Sequence, residues 1–194
     1  MSNKKTLLII AGPNGAGKTT IAPELQVLYN IDEAVNPDIV ATGLSLHPES
    51  VAFQAGRIAL NRLHHLIKLE QSFCYETTLA SHTIAHIMSI IDQKNYIIRL
   101  HFLALSSTEI AIQRVRYRVE QGGHNIAIAV IKRRYYRGLA NFFQRYQHSV
   151  DEWFMYNGEQ NGEIIAAKYF GISSAEIYQP LLWSRLEKIG HGKY

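Results

Sequence analysis

Apolar residues fall into two patterns that alternate along the chain. Thr6–Ala11 is a short continuous apolar run, which is typical of a strand buried on both faces of a parallel sheet. From 49 to 71 the apolar residues instead recur at a mostly helical spacing, which predicts a long amphipathic helix. Because strands and helices alternate through most of the length, we expect an α/β fold with a mainly parallel central sheet and helices on both faces.

The remaining elements are predicted from the same patterns and from turn and capping signals. A short second strand should end at the Asn36-Pro37 turn, because Pro37 cannot donate to a ladder. Ser106–Glu109 has the S-x-x-E form of a capping box, and the helix that it opens should stop at Gly122-Gly123. The predicted strands are 6–11, a short one from 33, 72–76, 96–105, 152–156 and 163–168. The predicted helices are 20–29, 49–71, 81–93, the one opened at 106, 126–148 and 180–189.

Composition is that of a globular protein. The chain has 194 residues, 47% of them hydrophobic and 19% charged, which suits one full core but not two domains of ordinary size, so we expect a single domain over 1–194. No apolar run approaches the roughly 18 residues of a membrane span, and Met1–Lys5 leaves no room for a signal peptide, so a cytoplasmic protein without a membrane partner is expected. The single cysteine, Cys74, excludes an internal disulfide and is expected in the core.

A phosphate-binding motif follows the first strand directly. Gly12–Thr19 fits the P-loop pattern G-x-x-x-x-G-K-[ST], whose glycines let backbone N–H groups point inward at a helix N-terminus. Lys18 is expected to reach the terminal phosphates of ATP, and the Thr19 hydroxyl to hold Mg²⁺. With its strand and helix, the motif predicts a three-layer P-loop NTPase fold. The nucleotide-binding residues predicted in this segment are Gly12, Pro13, Asn14, Gly15, Ala16, Gly17, Lys18, Thr19 and Thr20.

Two acidic residues are expected to face this motif. Asp38 lies just beyond the second strand and is placed to act as the base for an acceptor hydroxyl, with an Asx-type turn residue as the alternative interpretation. Glu76 ends a strand that should lie beside the P-loop strand, so it can contact acceptor hydroxyls or a water on Mg²⁺, with Thr77 and Thr78 as donors beside it. Since ligands bind at the carboxyl edge of parallel strands, these groups should converge on one crevice.

Basic residues concentrate in the third quarter of the chain, which carries much of the net charge of +4. Two pairs, Arg114 with Arg118 and Arg133 with Arg134, flank a glycine turn, and we interpret the region of about 114–137 as a lid that closes on phosphate. The sequence does not decide which two of the four contact phosphate. As a working assignment, Arg118 and Arg134 take part in catalysis, together with Lys18 and Asp38. Arg114 and Arg133 are assigned to nucleotide binding.

Three further features have both a structural and a functional interpretation. His124, beside the glycine pair, is assigned to the acceptor, with a purely structural role as the alternative. Asp92 follows an apolar stretch as a Walker B aspartate would, but its helical context favours a helix end. The aromatic residues of the second basic helix are expected to pack in the core, with a base-stacking platform as the alternative. These aromatic residues are Tyr135, Tyr136, Phe142, Phe143 and Tyr146.

With these residues assembled, the chain resembles the zeta toxin family of P-loop kinases over most of its length. The P-loop itself is shared by many families. The E-T-T-L segment and the stretch from G-G-H to R-R-Y, in this order and spacing, are much more specific. The segments that carry the resemblance are Gly12–Thr20, Asn36–Asp38, Tyr75–Ser81 and Arg118–Tyr135.

The resemblance implies ATP-dependent phosphorylation of a hydroxyl, in characterised relatives on the sugar of UDP-N-acetylglucosamine. It also implies an antitoxin protein as a partner. Carried over to this chain, Asp38 resembles the base, while Lys18 and Thr19 resemble the ligands of phosphate and Mg²⁺. Glu76 and Thr78 resemble the acceptor contacts.

The chain departs from the family pattern at two places. Ala127 stands where relatives often have a proline after the G-G-H segment, which loosens the start of the second basic helix. Tyr156 is followed by Asn157-Gly158, whereas relatives tend to have an Asp-Asn pair there, and this departure concerns the adenine side of the site.

Two other classes of function stay open at this stage. A nucleotide-dependent nucleic-acid protein, or a polynucleotide kinase, could use the basic helices as a track, although clustered basic residues suit a phosphate-rich ligand in one pocket better. A regulatory module could bind ATP or a partner protein without catalysis. The favoured hypothesis is a kinase that uses ATP and Mg²⁺ to phosphorylate a small-molecule hydroxyl.

Overall fold

Seven strands form a single sheet in the computed structural model, which describes residues 4–45, 48–91, 95–160 and 162–193. The strands are β1 Lys5–Ala11, β2 Glu33–Val35, β3 Phe73–Thr77, β4 Tyr96–Ala104, β5 Glu152–Asn157, β6 Glu163–Lys168 and β7 Glu176–Ile177. Their order in the sheet is β2-β3-β1-β4-β5-β6-β7. The first five strands in this order are parallel, and β6 and β7 are antiparallel to their neighbours. The predicted mainly parallel sheet is confirmed.

Helices between the strands complete the three-layer α/β architecture of P-loop proteins. Within the described residues they are α1 Lys18–Leu28, α2 Pro37–Leu44, α3 Ala52–Lys68, α4 Thr83–Ile90, α5 Thr108–Glu120, α6 Ile128–Gln144 and α7 Pro180–Gly190. A 3₁₀ turn, Pro48–Val51, precedes α3, and α4 ends before Asp92, which lies outside the described residues. None of the helices in the described part of the chain has the length and apolar character that a bilayer crossing requires.

The strand that precedes the P-loop lies at the centre of the core. Residues 7–11 are fully buried between β3 and β4, as expected for a continuous apolar run in a parallel sheet. Ala11 pairs with Thr77, so the P-loop emerges from the sheet beside the carboxyl end of β3. The parallel register therefore brings together two segments that are distant in sequence, since Thr19 and Glu76 are 57 residues apart.

The segment after β2 differs from the predicted turn. Asn36 begins a helix, because its side chain accepts hydrogen bonds from the N–H groups of Asp38 and Ile39, and Pro37 occupies the first helical position. Asp38 does lie just beyond the strand, as predicted, but in the first turn of α2. The Asx-type geometry belongs to Asn36.

Two smaller predictions were wrong. Ser107, and not Ser106, caps α5 by accepting from the N–H of Ile110, while the N–H of Ser106 donates to the carboxylate of Glu159. The cap moves by one residue because a tertiary partner takes the backbone group that a local capping box would use. Tyr136 is 37% exposed instead of buried, since it lies on the outer face of α6, whereas the other four aromatic residues of that group are core.

A buried polar cluster behind β4 was not predicted. His101 is only 1% exposed and lies between the hydroxyls of Tyr29 and Tyr156, at 3.0 Å and 2.9 Å from its two ring nitrogens. Arg99 forms an ion pair with Glu152, and its guanidinium lies 4.6 Å from the centroid of the Tyr29 ring. Burial lowers the pKa of His101 to about 3, so the imidazole is neutral at physiological pH.

Candidate active site

The P-loop has the backbone conformation that its glycines permit. Gly12, Gly15 and Gly17 have φ angles of 137°, 79° and 94°, in the region that residues with a Cβ rarely adopt. A Cβ on Gly12 would lie 2.3 Å from the carbonyl oxygen of Leu103, so β4 leaves no room for a side chain there. Three such residues within six positions curl the chain into the anion-binding loop that the motif predicts, immediately before α1.

Lys18 lies inside this loop and is held by its backbone. Its ammonium donates to the carbonyl oxygens of Gly12 and Pro13, each at 2.9 Å. Burial lowers the pKa of Lys18 to about 8, against the opposing effect of the nearby carboxylates of Asp38 and Glu76. A partly desolvated ammonium at the mouth of an anion nest is suited to bind phosphate, because phosphate would replace the solvation that burial removes.

Thr19 and Glu76 join the P-loop to the end of β3. The Thr19 hydroxyl donates to a carboxylate oxygen of Glu76 at 3.1 Å, and Glu76 is only 6% exposed. A hydroxyl and a carboxylate side by side are hard oxygen donors of the type that Mg²⁺ prefers, so these residues fit the predicted ion. Within the described ranges no group of three or more His, Cys, Asp or Glu side chains could hold a metal, so protein ligands alone would not complete this coordination.

Asp38 is presented to the same cavity by the first turn of α2. Its backbone N–H is bound by the Asn36 side chain at 2.9 Å, which fixes the residue at the helix start. Its side chain is 42% exposed, and one carboxylate oxygen lies 4.0 Å from a guanidinium nitrogen of Arg134. The same nitrogen of Arg134 donates to the side-chain oxygen of Asn14 in the P-loop, at 3.3 Å. Arg134 therefore lies between the candidate base and the phosphate-binding loop.

The two arginines of α5 have different environments. Arg114 donates to the carbonyl oxygens of Gly158, at 2.8 Å, and Gly15, at 3.3 Å, so it connects the turn after β5 to the P-loop. Arg118 donates to the carbonyl oxygen of His124 at 3.3 Å, while its Nε is buried with no hydrogen-bond partner among the described residues. A buried, unpaired guanidinium N–H at the cavity wall is a group that an anionic ligand could satisfy.

One open cavity of about 1110 Å³ contains nearly all the predicted residues. Asp38, Glu76, Thr77, Thr78, His124 and the four arginines line it together with the exposed part of the P-loop. Gly12, Pro13 and Ala16 are instead buried and are not among the lining residues. The motif, Asp38 and the end of β3 thus line one crevice, as their positions in a parallel sheet predict.

Several residues of the cavity were not predicted from the sequence. Arg137 and Asn141 lie on α6 one and two turns beyond Arg134, on the face that lines the cavity, so helical spacing from Arg134 could have indicated them. Ile39 and His82 also line it. They had no comparable signal, because the start of α2 was not recognised as a helix and the residues before α4 depend on how the loop after β3 folds back.

Comparisons with known proteins identify the family and the fold of this chain. The family model for zeta toxin matches residues 46–161. An uncharacterized protein of Haemophilus influenzae is 30% identical over 136 residues, which covers 70% of this chain and 94% of that protein. The family match spans the end of β3, the two arginine helices and the turn between them.

Solved structures share the fold at low sequence identity. The AvrRxo1-ORF1:-ORF2 complex with ATP has a TM-score of 0.73 at 15% identity, covering 95% of this chain, which spans 64% of that chain. The PezAT toxin–antitoxin system of Streptococcus pneumoniae has a TM-score of 0.64 at 14% identity, covering 99% and 86%. Deoxyadenosine kinase from M. mycoides with bound dATP has a TM-score of 0.52 at 16% identity, covering 81% and 92%.

The TM-scores of these structures show likeness of fold, whereas the family model and the Haemophilus influenzae relative match the sequence itself. Together with the P-loop, the Glu76 strand end and the paired arginines in one cavity, the family match over more than half of the chain allows one conclusion. The chain belongs to the zeta toxin family.

Proposed function

We propose that this protein is an ATP-dependent kinase that transfers the γ-phosphate to a hydroxyl group of a small molecule. The observation that carries the proposal is the position of Arg134, whose one guanidinium nitrogen lies 3.3 Å from Asn14 of the P-loop and 4.0 Å from the Asp38 carboxylate. A candidate base and a nucleotide-binding loop are thus separated by a single cationic side chain. A nucleotide switch needs the loop but has no use for a base at this position.

The proposed roles follow from the requirements of phosphoryl transfer. Asp38 accepts the proton of the acceptor hydroxyl as the hydroxyl oxygen bonds to the γ-phosphorus, and the bond to the β–γ bridging oxygen breaks. Lys18, Arg118 and Arg134 stabilise the negative charge on the transferring group. Thr19 and Glu76 would hold Mg²⁺, directly or through water, and the ion when bound neutralises charge on the β- and γ-phosphates.

The charge of the cavity supports an anionic acceptor. Among the residues that the structure describes, six basic side chains line it against two carboxylates, Asp38 and Glu76. This is more positive charge than the triphosphate of one Mg²⁺-bound nucleotide requires. The basic residues are Lys18, Arg114, Arg118, Arg133, Arg134 and Arg137. A UDP-sugar such as UDP-N-acetylglucosamine is the first candidate on the basis of the family, with Glu76, Thr77, Thr78 and His124 as its proposed contacts.

The test is a transfer assay with γ-labelled ATP, Mg²⁺ and a panel of UDP-sugars, nucleosides and short RNAs. We expect one labelled small-molecule product. Asp38→Asn should keep ATP binding and lower transfer by about 10²–10⁴-fold, the usual contribution of a positioned base. Asp32→Asn is the matched control, because Asp32 is an exposed carboxylate just before β2 and outside the cavity. Transfer by Asp38→Asn at the parent rate would contradict the assignment.

The two alternative classes predict different results, one in an RNA-binding measurement and the other in the transfer assay. A nucleic-acid track would bind a 20-nucleotide RNA with an affinity that falls by orders of magnitude between about 50 and 200 mM salt. The half-buried positions of Arg114, Arg118 and Arg134 inside one cavity argue against an exposed track. A non-catalytic module would bind ATP and label nothing in the panel.

We also propose an antitoxin protein as a partner, on family membership alone. The expected result is that a cognate antitoxin, co-expressed with this chain, co-purifies with it and suppresses transfer. An antitoxin that neither binds the purified protein nor changes its transfer rate would remove this proposal and leave the kinase proposal intact.

A further inference from the structure

Helix α6 contacts both halves of the cavity. In its N-terminal half Arg134 lies beside the P-loop and Asp38. One and two turns further on, Gly138 and Asn141 contact the segment Thr77–Ala80, here called the acceptor loop. Because a helix rises 1.5 Å per residue, about 10 Å of rigid backbone separates the contacts of 134 and 141. The helix is thus a spacer of fixed length between the phosphate side and the acceptor loop.

The first contact is a close approach of two backbones. A Cβ on Gly138 would lie 2.5 Å from the carbonyl oxygen of Thr78, a distance that real Cβ atoms do not adopt. Gly138 is buried in the middle of α6, where glycine lowers helix stability relative to alanine. Glycine at this position is explained by the close approach of the Thr78 carbonyl oxygen, which leaves no space for a Cβ, and not by helix propensity.

The second contact fixes the loop at its strained residue. Asn141 donates its side-chain N–H to the carbonyl oxygen of Leu79 at 2.7 Å. Leu79 is buried and has φ of +60°, a conformation that costs free energy for a residue with a Cβ. Its N–H also donates to the Thr77 hydroxyl at 3.0 Å. Such a conformation persists only where neighbours enforce it, and Asn141 is one of these neighbours.

We propose that Gly138 and Asn141 are positioning residues, which set the place of the acceptor loop relative to the arginines of α6. The inference rests on the proposed kinase function for its kinetic meaning. Thr77, Thr78 and Ala80 line the cavity, so a shift of this loop changes where an acceptor hydroxyl lies relative to the γ-phosphate. Neither positioning residue is required to touch the reacting atoms.

The first experiment compares two deletions of the same kind of hydrogen bond from one helix. Asn141→Ala removes the bond to the acceptor loop, and Gln144→Ala removes a bond from α6 to the carbonyl oxygen of Gly190, also 2.7 Å. Both should lower the melting temperature by similar amounts. Only Asn141→Ala should raise the KM for UDP-N-acetylglucosamine by about tenfold or lower kcat, with the KM for ATP within about twofold of the parent.

The second experiment adds one methyl group at two helical glycines. Gly138→Ala should displace the acceptor loop. Like Asn141→Ala, it should raise the acceptor KM or lower kcat, with little change in the KM for ATP. Gly43→Ala is the matched control, because Gly43 is in α2 and a Cβ there meets nothing within 4 Å. We expect Gly43→Ala to keep the parent kinetics and to be as stable as the parent or slightly more stable, because alanine is the better helix former.

Hydrogen–deuterium exchange separates failure of this inference from failure of the proposed function. Exchange of the peptide covering 77–81 should rise in Asn141→Ala and Gly138→Ala but not in the two controls, while the P-loop peptide stays unchanged. If the parent transfers phosphate to no acceptor in the panel, the kinase proposal fails and this exchange pattern alone decides the inference. Unchanged exchange at 77–81, or equal acceptor KM and equal kcat in Asn141→Ala and Gln144→Ala, would overturn the positioning role.

Discussion

The hydroxyl of Thr19 donates to the carboxylate of Glu76 across 3.1 Å, which joins the last residue of the P-loop motif to the end of β3. Glu76 is nearly buried, and the hydroxyl is its hydrogen-bond partner in the site. The parallel pairing of β1 with β3 brings the two residues together. Glu76 therefore adjoins both Thr19, the predicted Mg²⁺ ligand, and the acceptor loop that follows β3.

This relationship predicts how the protein depends on Mg²⁺. Thr19→Val removes the hydroxyl at nearly constant volume, so we expect the Mg²⁺ concentration for half-maximal ATP turnover to rise by about tenfold, or roughly 1.4 kcal/mol. Thr19→Ser keeps the hydroxyl and should stay close to the parent. Turnover measured against Mg²⁺ at saturating ATP checks this, and an unchanged Mg²⁺ requirement in Thr19→Val would contradict the assignment.

A second prediction concerns proton uptake at Lys18. The pKa of the free protein's ammonium is lowered to about 8 by burial, and bound phosphates should raise it again by stabilising the charged form. At pH 8 about half of the Lys18 side chains are neutral, so ATP binding should take up about 0.5 proton per nucleotide, falling towards zero below pH 7. Calorimetry in two buffers of different ionisation enthalpy measures this quantity.

Lys18→Met provides the control for proton uptake. The variant cannot titrate at this position, so it should bind ATP more weakly and without the uptake at pH 8. Equal uptake in the parent and the variant would assign the proton to another group.

A third prediction concerns acid stability and His101. The folded-state pKa is about 3 and the unfolded-state value about 6.5, so between these values the unfolded state binds a proton that the folded state does not. The contribution of the buried, neutral His101 to the free energy of unfolding is therefore complete above pH 6.5. It is lost as the pH falls towards 3, at up to about 1.4 kcal/mol per pH unit. Urea unfolding between pH 7.5 and 4.5 measures this slope.

His101→Phe separates the titration from the hydrogen bonds. The variant leaves the hydroxyls of Tyr29 and Tyr156 without their imidazole partner, so it should be less stable than the parent at pH 7.5. Its free energy of unfolding should nevertheless fall less steeply with acid. The same slope in both proteins would show that other groups account for the acid sensitivity.

A fourth prediction concerns Gly158, which stands where the family tends to have another residue. A Cβ there would lie 2.9 Å from the carbonyl oxygen of Ala16 and 3.0 Å from that of Ala104, and the Gly158 carbonyl accepts from Arg114. Gly158→Ala should therefore shift the turn, lower stability by about 1–3 kcal/mol and weaken ATP binding. Titration with a fluorescent ATP analogue checks the affinity, and Gly43→Ala should leave it unchanged.

Much of the fold of this protein is determined by residues that are close together in the sequence. The P-loop was predictable because its glycines, its lysine and the apolar strand before it are contiguous. The bounds of the predicted strands and helices also agree with the structure within a few residues, whereas α2 and β7 were not predicted. The placement of Glu76 beside the P-loop was also predictable, because parallel strands present their carboxyl ends at one edge of a sheet.

The tertiary structure decided what depends on partners distant in sequence. Asn36 caps a helix instead of closing a turn, and Ser106 gives its N–H to Glu159, which displaces the local capping box. No spacing indicates that Arg134 lies between Asn14 and Asp38, or that Leu79 is held at positive φ by α6. The sequence by itself determined which chemical groups are available at the sheet edge, because strands and loops form from residues that are close together in the chain. The distances between these groups were decided by the tertiary structure, because they depend on how helices far along the chain pack across that edge.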